Sequence, residues 1–333
     1  MSLKIKYKIL SSFLIIKFSF FCFISLANSE ETFQTWLISY KKFAFEKGVS
    51  KKTINSVFKN VRFLEQVIKY DRKQPEFFED TITYVSKRAN ISRANKAKKL
   101  LKINKSLFSE VENKFFVEKE ILLALWGIET NFGKHVGKMD IVSSLATLSY
   151  DKRRRDFFSS QLLTLLKLVD DKLINPNTLY GSWAGAYGNF QFMPSTIKNY
   201  AIDFDGNNKI ELKSSLKDSL ASAANYIHRI GWKKDQPCFI RVKLTKKIKD
   251  KYINSSARKI SHRLKFKKWR QKGLVNFDNT DIESNYKAAL ILPDGKPDSP
   301  AFLVFENYEK ILKWNRSLRF GISVCTLANM IKT

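Results

Sequence analysis

One glutamate, Glu129, ends a long apolar segment of the sequence, EILLALWGIE. Its neighbours at helical spacing are Leu125 and Trp126, so a helix would hold the carboxyl beside apolar side chains. A carboxyl in such surroundings is poorly solvated as an anion and stays protonated to higher pH than an exposed one. A protonated glutamic acid of this kind could act as a general acid. The alternative is an ordinary surface glutamate at a helix end.

A second segment, GSWAGAYGNFQFMP, combines small residues with aromatic and amide side chains. Ser182 and Gln191 offer hydrogen-bonding groups, and the aromatic rings of such a loop can stack on the flat faces of sugars. Three successive arginines, at positions 153 to 155 in the segment DKRRRDFF, add cationic groups. This composition fits a carbohydrate better than any other class of ligand.

Two other chemistries lack the residues that they need. Neither glycine-rich segment has the phosphate-binding pattern GxxxxGK[ST], which excludes a phosphate cradle of that type. The three histidines, His135, His228 and His262, have no spacing typical of zinc ligands or of a serine triad.

The pattern of apolar residues predicts the elements that position these groups. From about residue 31 to 116, apolar residues recur every three or four positions, which predicts helices, with Ser50 as a candidate N-cap. A further helix is predicted from about Glu118 to Thr130. The segment CFIRVKL alternates as a strand does, and YKAALILPDGKPDSPAFLVF predicts two strands around a Pro-Asp-Gly turn. The tail from Tyr308 returns to a helical pattern, so we predict a mainly α protein (α+β) with one small sheet.

The first 27 residues have the features of an export signal. Lysines precede an apolar run that ends at Leu26, and Ser25 and Ala27 are the small residues that a signal peptidase requires. We predict cleavage after Ala27 and a periplasmic location, with a retained N-terminal anchor as the alternative. Removal of the four lysines in this segment lowers the formal charge from +29 to +25. Such a charge favours anionic wall or membrane surfaces, and export argues against nucleic acid as the partner.

Two cysteines, Cys238 and Cys325, remain beyond the export signal. An oxidising compartment permits a disulfide, but two distant cysteines in a protein with a large core do not require one. We therefore expect two separate buried thiols.

Four segments of the sequence together resemble a known family. WGIETNFG, DKRRRDFF, SWAGAYGNFQFMPSTIKNYAIDFDG and DSLASAANYIHRIGW are similar, in order and in spacing, to blocks of the family-B lytic murein transglycosylases, glycoside hydrolase family 103. The resemblance covers most of residues 31 to 333. It implies cleavage of the β-1,4 bond between N-acetylmuramic acid and N-acetylglucosamine in peptidoglycan, with a 1,6-anhydro end instead of the addition of water.

The resemblance implies a single catalytic acid at Glu129. This residue would protonate the glycosidic oxygen and then accept the proton of the C6 hydroxyl as that oxygen attacks C1. One carboxyl suffices if the acetamido group of the substrate shields the anomeric centre, whereas most glycosidases use two carboxylates. The alternatives are a hydrolase of the same fold and a non-catalytic wall-binding protein.

The resemblance also implies a set of substrate-binding residues, some beside the acid, some on the cleft floor and some near the peptide. Trp and Phe stand at positions 314 and 320, where the family usually has tyrosine, which keeps the rings but removes a hydroxyl. A core position is the alternative for each aromatic residue, above all for Tyr84 and Phe320. The expected set is Tyr84, Arg154, Arg155, Ser182, Gln191, Phe192, Met193, Tyr226, Trp314, Asn315 and Phe320.

The segment DFDGNNKIELKSSLKD resembles the EF-hand-like loop that some family members carry. Asn208 replaces the usual glycine and Ser214 the usual glutamate, and nearby lysines weaken the site. A bound structural calcium and a solvated turn are both open, and no cofactor is required for catalysis. The candidate ligands are the side chains of Asp203, Asp205, Asn207 and Asp218 and the carbonyl of Lys209.

With the resemblance, the predicted architecture is a lysozyme-like catalytic core at residues 117–232, preceded by an N-terminal helical domain at 28–116. A small antiparallel β subdomain is expected at 233–305, and a C-terminal helical segment at 306–333 returns to the core. We expect peptidoglycan glycan strands as the partner and a monomeric protein, with peripheral association with the wall or membrane left open.

Overall fold

The computed structural model describes residues 31–74, 78–277, 285–296 and 298–333. The predicted export signal at residues 1–27 lies outside these ranges. Within them, no helix combines the length and the apolar character that crossing a membrane requires. The fold described below is that of the compact unit Phe33–Thr333.

Helices make up most of this unit, and α1 to α7, α13 and α14 occupy the segments where the apolar spacing predicts helices, whereas α8 to α12 were not predicted. Ser50 caps α2, because its Oγ accepts a hydrogen bond from the backbone N–H of Thr53 at 3.2 Å. The helices are α1 (Phe33–Glu46), α2 (Lys51–Val57), α3 (Glu65–Arg72), α4 (Thr81–Arg88), α5 (Ile91–Ile103), α6 (Lys105–Phe115), α7 (Lys119–Thr130), α8 (Ile141–Tyr150), α9 (Arg155–Asp170), α10 (Pro194–Tyr200), α11 (Leu216–Arg229), α12 (Phe266–Gln271), α13 (Glu306–Trp314) and α14 (Leu318–Lys332).

The strands in the described part of the chain form one small ribbon and one larger sheet. β1 and β2 pair antiparallel, and the larger sheet has the order β4-β7-β8-β3-β6, with β5 also pairing with β7. The predicted strands β3, β7 and β8 are confirmed, but the sheet is not purely antiparallel because β4 runs parallel to β7. The strands are β1 (Met139–Asp140), β2 (Tyr180–Gly181), β3 (Phe239–Leu244), β4 (Ile253–Asn254), β5 (Leu264–Lys265), β6 (Leu274–Asn276), β7 (Lys287–Ile291) and β8 (Ala301–Val304).

Among the described residues, two clusters of buried apolar side chains stabilise the unit. The larger extends through the helices and includes Ile291 and Val304 from one face of the sheet. The smaller lies on the opposite face, where Leu290 and Leu303 pack with Trp269. Successive side chains of a strand point to opposite faces, so β7 and β8 are buried on both sides. This double burial explains why their sequences are continuous apolar runs.

A disulfide attaches the larger sheet to α14. Cys238, which directly precedes β3, is bonded to Cys325 of α14, with the two Cα atoms 6.1 Å apart. The expectation of two separate buried thiols is therefore wrong. The pairing depends on tertiary folding that brings the residue before β3 next to α14, which a separation of 87 residues does not reveal.

The turn between β7 and β8 makes a second attachment. Asp294 in this turn accepts hydrogen bonds from the hydroxyl of Thr81 at 2.6 Å and from Nη2 of Arg319 at 2.7 Å. Thr81 is the first residue of α4, where a negative charge stabilises the helix N-terminus. Because Arg319 belongs to α14, both attachments of the sheet involve this one helix, which also packs against α7. The domain boundaries predicted from the sequence stay predictions.

Candidate active site

Glu129 lies in the last turn of α7, whose residues from Ile121 to Gly127 are buried. Its own side chain is half-buried. The helix ends directly afterwards because Asn131 and Phe132 adopt the left-handed conformation, with φ of 51° and 61°. The carboxyl therefore stands at the point where a buried helix emerges from the core, as the apolar segment before it predicts.

An indole contacts this carboxyl directly. Nε1 of Trp314 donates a hydrogen bond to Oε1 of Glu129, and the two atoms are 2.9 Å apart. Trp314 is the last residue of α13, so the bond joins two segments that are 185 residues apart in sequence. The structure thus brings the predicted catalytic acid together with one of the predicted substrate-binding residues.

Trp314 belongs to a continuous row of aromatic rings. Its ring centre lies 5.2 Å from that of Tyr226, and Tyr226 stacks in turn on Tyr200 at 4.5 Å. Phe192 packs against the same indole at 5.3 Å. The hydroxyl of Tyr226 donates to the carbonyl of Lys313 at 3.0 Å, which fixes the end of α13. Burial raises the pKa of Tyr226 to about 12, so this hydroxyl remains a donor at neutral pH.

Asn189, which was not among the predicted site residues, connects the end of α7 to the loop that carries the predicted substrate residues. Its backbone carbonyl accepts from the hydroxyl of Thr130 at 2.8 Å, and its side-chain oxygen accepts from Nε1 of Trp126 at 3.3 Å. Its amide nitrogen donates to Oγ of Ser219 in α11 at 3.2 Å. A buried amide with these partners fixes three elements relative to one another. The available signal was an asparagine inside an aromatic segment, where burial demands polar partners.

Gln191 folds back onto its own loop. Its backbone is left-handed, with φ of 51°, and its Nε2 donates to the carbonyl of Gly188 at 2.9 Å and to that of Val136 at 3.1 Å. The second bond joins the loop to the segment that follows α7. The role of Gln191 beside the acid stays a prediction.

Ser182 stabilises the tight turn that follows β2. Its hydroxyl oxygen accepts from the backbone N–H groups of Ala184 at 3.2 Å and Ala186 at 3.0 Å. Gly137 lies against the same strand, and a Cβ at this position would stand 2.1 Å from the carbonyl oxygen of Gly181. Only glycine allows the segment after α7 to approach Ser182 this closely.

The arginines of the DKRRRDFF segment lie beside Asp71 at the end of α3. Nε of Arg153 donates to the Asp71 carboxylate at 2.8 Å, and Arg154 forms an ion pair with the other oxygen of the same carboxylate. Arg155 donates to the carbonyl of Tyr150 at 2.8 Å. Residues 152–157 line an open cavity of about 380 Å³. Arg154 and Arg155 are therefore fixed by protein groups at the edge of an accessible space, and their contact with substrate stays a prediction.

The remaining predicted substrate residues differ in exposure. Tyr84 and Phe320 are each only 3% exposed, and the guanidinium of Arg88 covers the Tyr84 ring at 3.4 Å. Their burial agrees with the alternative of a core position. Met193 and Asn315 are half-buried, and Asn315 directly follows Trp314 at the end of α13.

The predicted calcium loop is closed by its own backbone. The carboxylate of Asp203 accepts hydrogen bonds from the backbone N–H groups of residues 206–208, at distances from 2.7 to 3.2 Å. Asp218 is fully buried and accepts from the N–H groups of Phe204 and Glu211, both at 2.9 Å. These bonds preform the turn without requiring an ion.

The same loop gathers oxygen ligands of the type that calcium prefers. Asp203, Asp205 and Asp218 each bring a carboxylate oxygen to within 4.8 Å of the others. Asn208 adopts a φ of 63°, as its place in the turn predicts. Glu211, which was not among the predicted ligands, accepts from Nδ2 of Asn207 at 3.4 Å. The donor set fits a structural ion, and calcium binding stays a prediction.

Comparison with known proteins gives a family match over most of the chain. The sequence model described as the transglycosylase SLT domain matches residues 32–329. Membrane-bound lytic murein transglycosylase B of Escherichia coli K12 is 44% identical over 119 residues, which are 35% of this chain and 33% of that relative. The matched part therefore spans about a third of the length of this curated relative.

Solved structures match nearly the whole described chain. SltB3 from Pseudomonas aeruginosa, in complex with NAG-NAM-pentapeptide, is 32% identical, with a TM-score of 0.82 over 91% of this chain and 80% of that chain. The same enzyme in complex with NAG-anhNAM-pentapeptide gives a TM-score of 0.81. Escherichia coli lytic transglycosylase Slt35, in complex with calcium, is 23% identical, with a TM-score of 0.75 over 89% of this chain and 92% of that chain. At this low identity, the match shows a shared fold only. The predicted α+β fold with a lysozyme-like core is confirmed.

Proposed function

The chain belongs to the transglycosylase SLT domain family, and we propose that it is a lytic transglycosylase that cleaves the glycan strands of peptidoglycan. The bond cleaved is the β-1,4 linkage between N-acetylmuramic acid and N-acetylglucosamine, and the product has a 1,6-anhydro end. Two observations of SltB3 support this reaction, since that relative binds both NAG-NAM-pentapeptide and NAG-anhNAM-pentapeptide. In this chain the proposal depends on one observation, the carboxyl of Glu129 at the end of a buried helix against the Trp314 indole.

Glu129 acts first as an acid and then as a base. Its protonated carboxyl gives a proton to the glycosidic oxygen as the bond between that oxygen and C1 breaks. The resulting carboxylate then takes the proton of the C6 hydroxyl as O6 forms its bond to C1, so the carboxyl returns to its protonated form. The apolar residues of α7 favour the neutral acid before the first step, and the indole N–H of Trp314 stabilises the anion after it.

We propose that the substrate contacts Glu129 at one end and, at the other, the arginines beside the cavity lined by residues 152–157. Ser182, Gln191 and Met193 contribute the loop side of the substrate-binding surface. Arg154 and Arg155 stand near the peptide or sugar at its far end. The hydrogen bonds within the loop keep this side rigid before substrate arrives, which lowers the entropy lost on binding.

We place the protein in the periplasm, exported by residues 1–27 and associated peripherally with the wall or membrane as a monomer. The basic composition supports such an association, and the relative in Escherichia coli is named membrane-bound. N-terminal sequencing of the protein from a periplasmic fraction should start at Asn28. A start at Met1 would instead support a retained anchor.

Digestion of purified sacculi tests the reaction. The protein should release muropeptides that mass spectrometry identifies as 1,6-anhydro products. Products with only reducing ends would show that water reaches the intermediate and that the enzyme is a hydrolase.

Glu129→Gln tests the residue, because it keeps the side-chain size and the acceptor oxygen for Trp314. Release should fall by roughly 10³-fold, the scale of general acid-base catalysis, while binding to sacculi persists. Glu120→Gln, in the first turn of the same helix, is the matched control and should release muropeptides as the wild type does. Undiminished muropeptide release by Glu129→Gln would show that Glu129 is not the catalytic acid, so that another group catalyses the reaction or this site has no enzymatic role.

A further inference from the structure

The side chain of Trp314 makes its polar contact and its ring contacts with other residues of the protein. Its indole N–H donates a hydrogen bond to Oε1 of Glu129 at 2.9 Å. Tyr226 stacks on the indole at an interplanar angle of 26°, and Phe192 packs against it at 5.3 Å. The sequence predicts a substrate-stacking role for this residue, but these contacts direct its polar atom to the catalytic carboxyl.

An indole N–H donates a hydrogen bond and cannot accept one. Oε1 of Glu129 is therefore an acceptor toward Trp314 in both protonation states of the carboxyl. A carboxylic acid has one O–H group, and its carbonyl oxygen is a stronger acceptor than its hydroxyl oxygen. The bond from the indole to Oε1 therefore favours the form of the neutral acid that carries its proton on Oε2.

We propose that Trp314 is a positioning residue that orients the Glu129 carboxyl and assigns its acidic proton to Oε2. Oε2 is then the atom that protonates the glycosidic oxygen and later accepts the proton of the C6 hydroxyl. The indole N–H also stabilises the carboxylate that exists between the two steps, because hydrogen bonds to a charged acceptor are the stronger ones. This inference rests on the proposed function and adds to it the identity of the reacting oxygen.

The surroundings of Trp314 hold the donor in place. The hydroxyl of Tyr226 fixes the carbonyl of Lys313, and the N–H of Asn315 donates to the carbonyl of Ile311 at 3.1 Å, so the backbone is fixed on both sides of the indole. A donor that is oriented before the reaction needs no reorganisation when the negative charge forms. The aromatic row thus serves as a support for one N–H group.

The indole proton itself provides a test that does not depend on activity. In the full chain with ¹⁵N-labelled tryptophan, the Nε1–H resonance of Trp314, assigned by its loss in Trp314→Phe, should shift as Glu129 titrates. The shift should vanish in Glu129→Gln. The indole of Trp269 is the internal control, because its N–H donates to the carbonyl of Ala288 at the same 2.9 Å and should not titrate. A Trp314 resonance that does not follow Glu129 would overturn the proposal even if sacculi are cleaved.

Kinetics supply the second test. Trp314→Phe removes the N–H and keeps a ring against Tyr226. The maximal rate of sacculus solubilisation should fall about tenfold, with the half-saturating sacculus concentration changed less than about twofold. The anion loses its donor, so Glu129 stays protonated to higher pH and the alkaline limb of the pH profile should move up by about one pH unit.

Trp269→Phe is the matched variant for these kinetics, since it removes an indole N–H from a hydrogen bond of equal length in a fully buried site. It should lower thermal stability and leave the pH profile where it is. Weaker sacculus binding with an unmoved profile in Trp314→Phe would show that the indole stacks a sugar, and it would overturn the positioning role. Failure of the wild type to cleave sacculi would refute the proposed function separately.

Discussion

The helical region around Glu129 and the region of the larger sheet, which holds β3 to β8, each contain a buried asparagine, but the two residues bond to different kinds of partner. Asn189, 7% exposed, lies in a loop and bonds to both α7 and α11. Asn254, 6% exposed, donates to the carbonyls of Leu290 and Ser261, both within the sheet region. The same residue type thus assembles the site in one region and closes a local turn in the other. This difference separates the part of the molecule that positions the acid from the part that adds stability.

The two regions are joined through α14. Cys325 and Arg319 of this helix attach the sheet region through the disulfide and through Asp294, while α14 packs against α7. We therefore predict that damage to the sheet region or its attachments lowers stability, and that damage to the polar network around α7 lowers both stability and activity.

The largest expected effect follows removal of the disulfide. Replacing Cys238 and Cys325 together by alanine should lower the free energy of unfolding by about 4 kcal/mol, because the bond closes a long loop in the unfolded chain. Urea unfolding measures this loss. Muropeptide release per folded molecule should stay within about twofold of the wild type, because neither cysteine takes part in the hydrogen bond between Trp314 and Glu129.

The corresponding control is reduction. A thiol reductant should destabilise the wild type to the same extent and leave the double variant unchanged. A strong loss of specific activity in the folded double variant would show that the activity of the site depends on the attachment of the sheet to α14.

The matched pair of asparagines gives the next effect. Asn189→Ala and Asn254→Ala should each lower the free energy of unfolding by roughly 2–3 kcal/mol, because each leaves buried polar groups without partners. Only Asn189→Ala should also reduce muropeptide release, by about tenfold or more, since the last turn of α7 loses its fixed position. Release is measured at a temperature at which both variants are folded.

Equal activity losses in the two variants would mean that the acid depends on global stability rather than on its local network. Retention of full activity in Asn189→Ala would remove this residue from the positioning of α7. Either result would show that the two asparagines do not separate a region that positions the acid from a region that adds stability.

The smallest effect concerns acid stability of the helical region alone. Asp170 at the end of α9 accepts from the hydroxyls of Ser50 and Thr53, at 2.5 and 2.6 Å, and from the N–H of Ser50 at 3.1 Å. The side-chain bond from Ser50 contributes most to lowering the pKa of this carboxyl. A lowered folded-state pKa stabilises the fold above the unfolded-state pKa, and the contribution disappears as pH falls through the folded-state value.

Asp170→Asn should therefore lower the Tm by about 2 °C at neutral pH and by nothing in strong acid. Calorimetry of both proteins from neutral pH to strong acid measures this difference in Tm. A difference in Tm that persists in strong acid would show that the amide of the variant destabilises the fold for reasons other than charge. Sacculus cleavage should be unchanged, because Asp170 joins α2 to α9 through Ser50 and Thr53, and none of these three residues belongs to the candidate active site.

The sequence predicts the local parts of this molecule well. Glu129 ends its helix where the apolar run stops, Ser50 caps α2, and β3, β7 and β8 form where alternation or apolar runs indicate strands. These features depend on neighbours within a few positions. The patterns that specify them are therefore contained in short segments.

The sequence does not predict the long-range contacts. The bond from Trp314 to Glu129, the disulfide and the parallel pairing of β4 with β7 each join segments that tertiary packing brings together. The family resemblance places Trp314 in the site, but its partner follows only from the geometry of α13 and the aromatic row. Asn189 was missed for the same reason, since its importance lies in partners from other elements.

The separation of 185 residues between Glu129 and Trp314 has a consequence for timing. A chain that emerges from its N-terminus first exposes the acid long before the indole that orients it, and contacts so distant in sequence form late in folding. A nascent molecule that has not yet folded through position 314 therefore lacks the hydrogen bond that orients the carboxyl of Glu129. On the proposed function, the protein reaches its full activity on the cell wall only after the whole unit has folded.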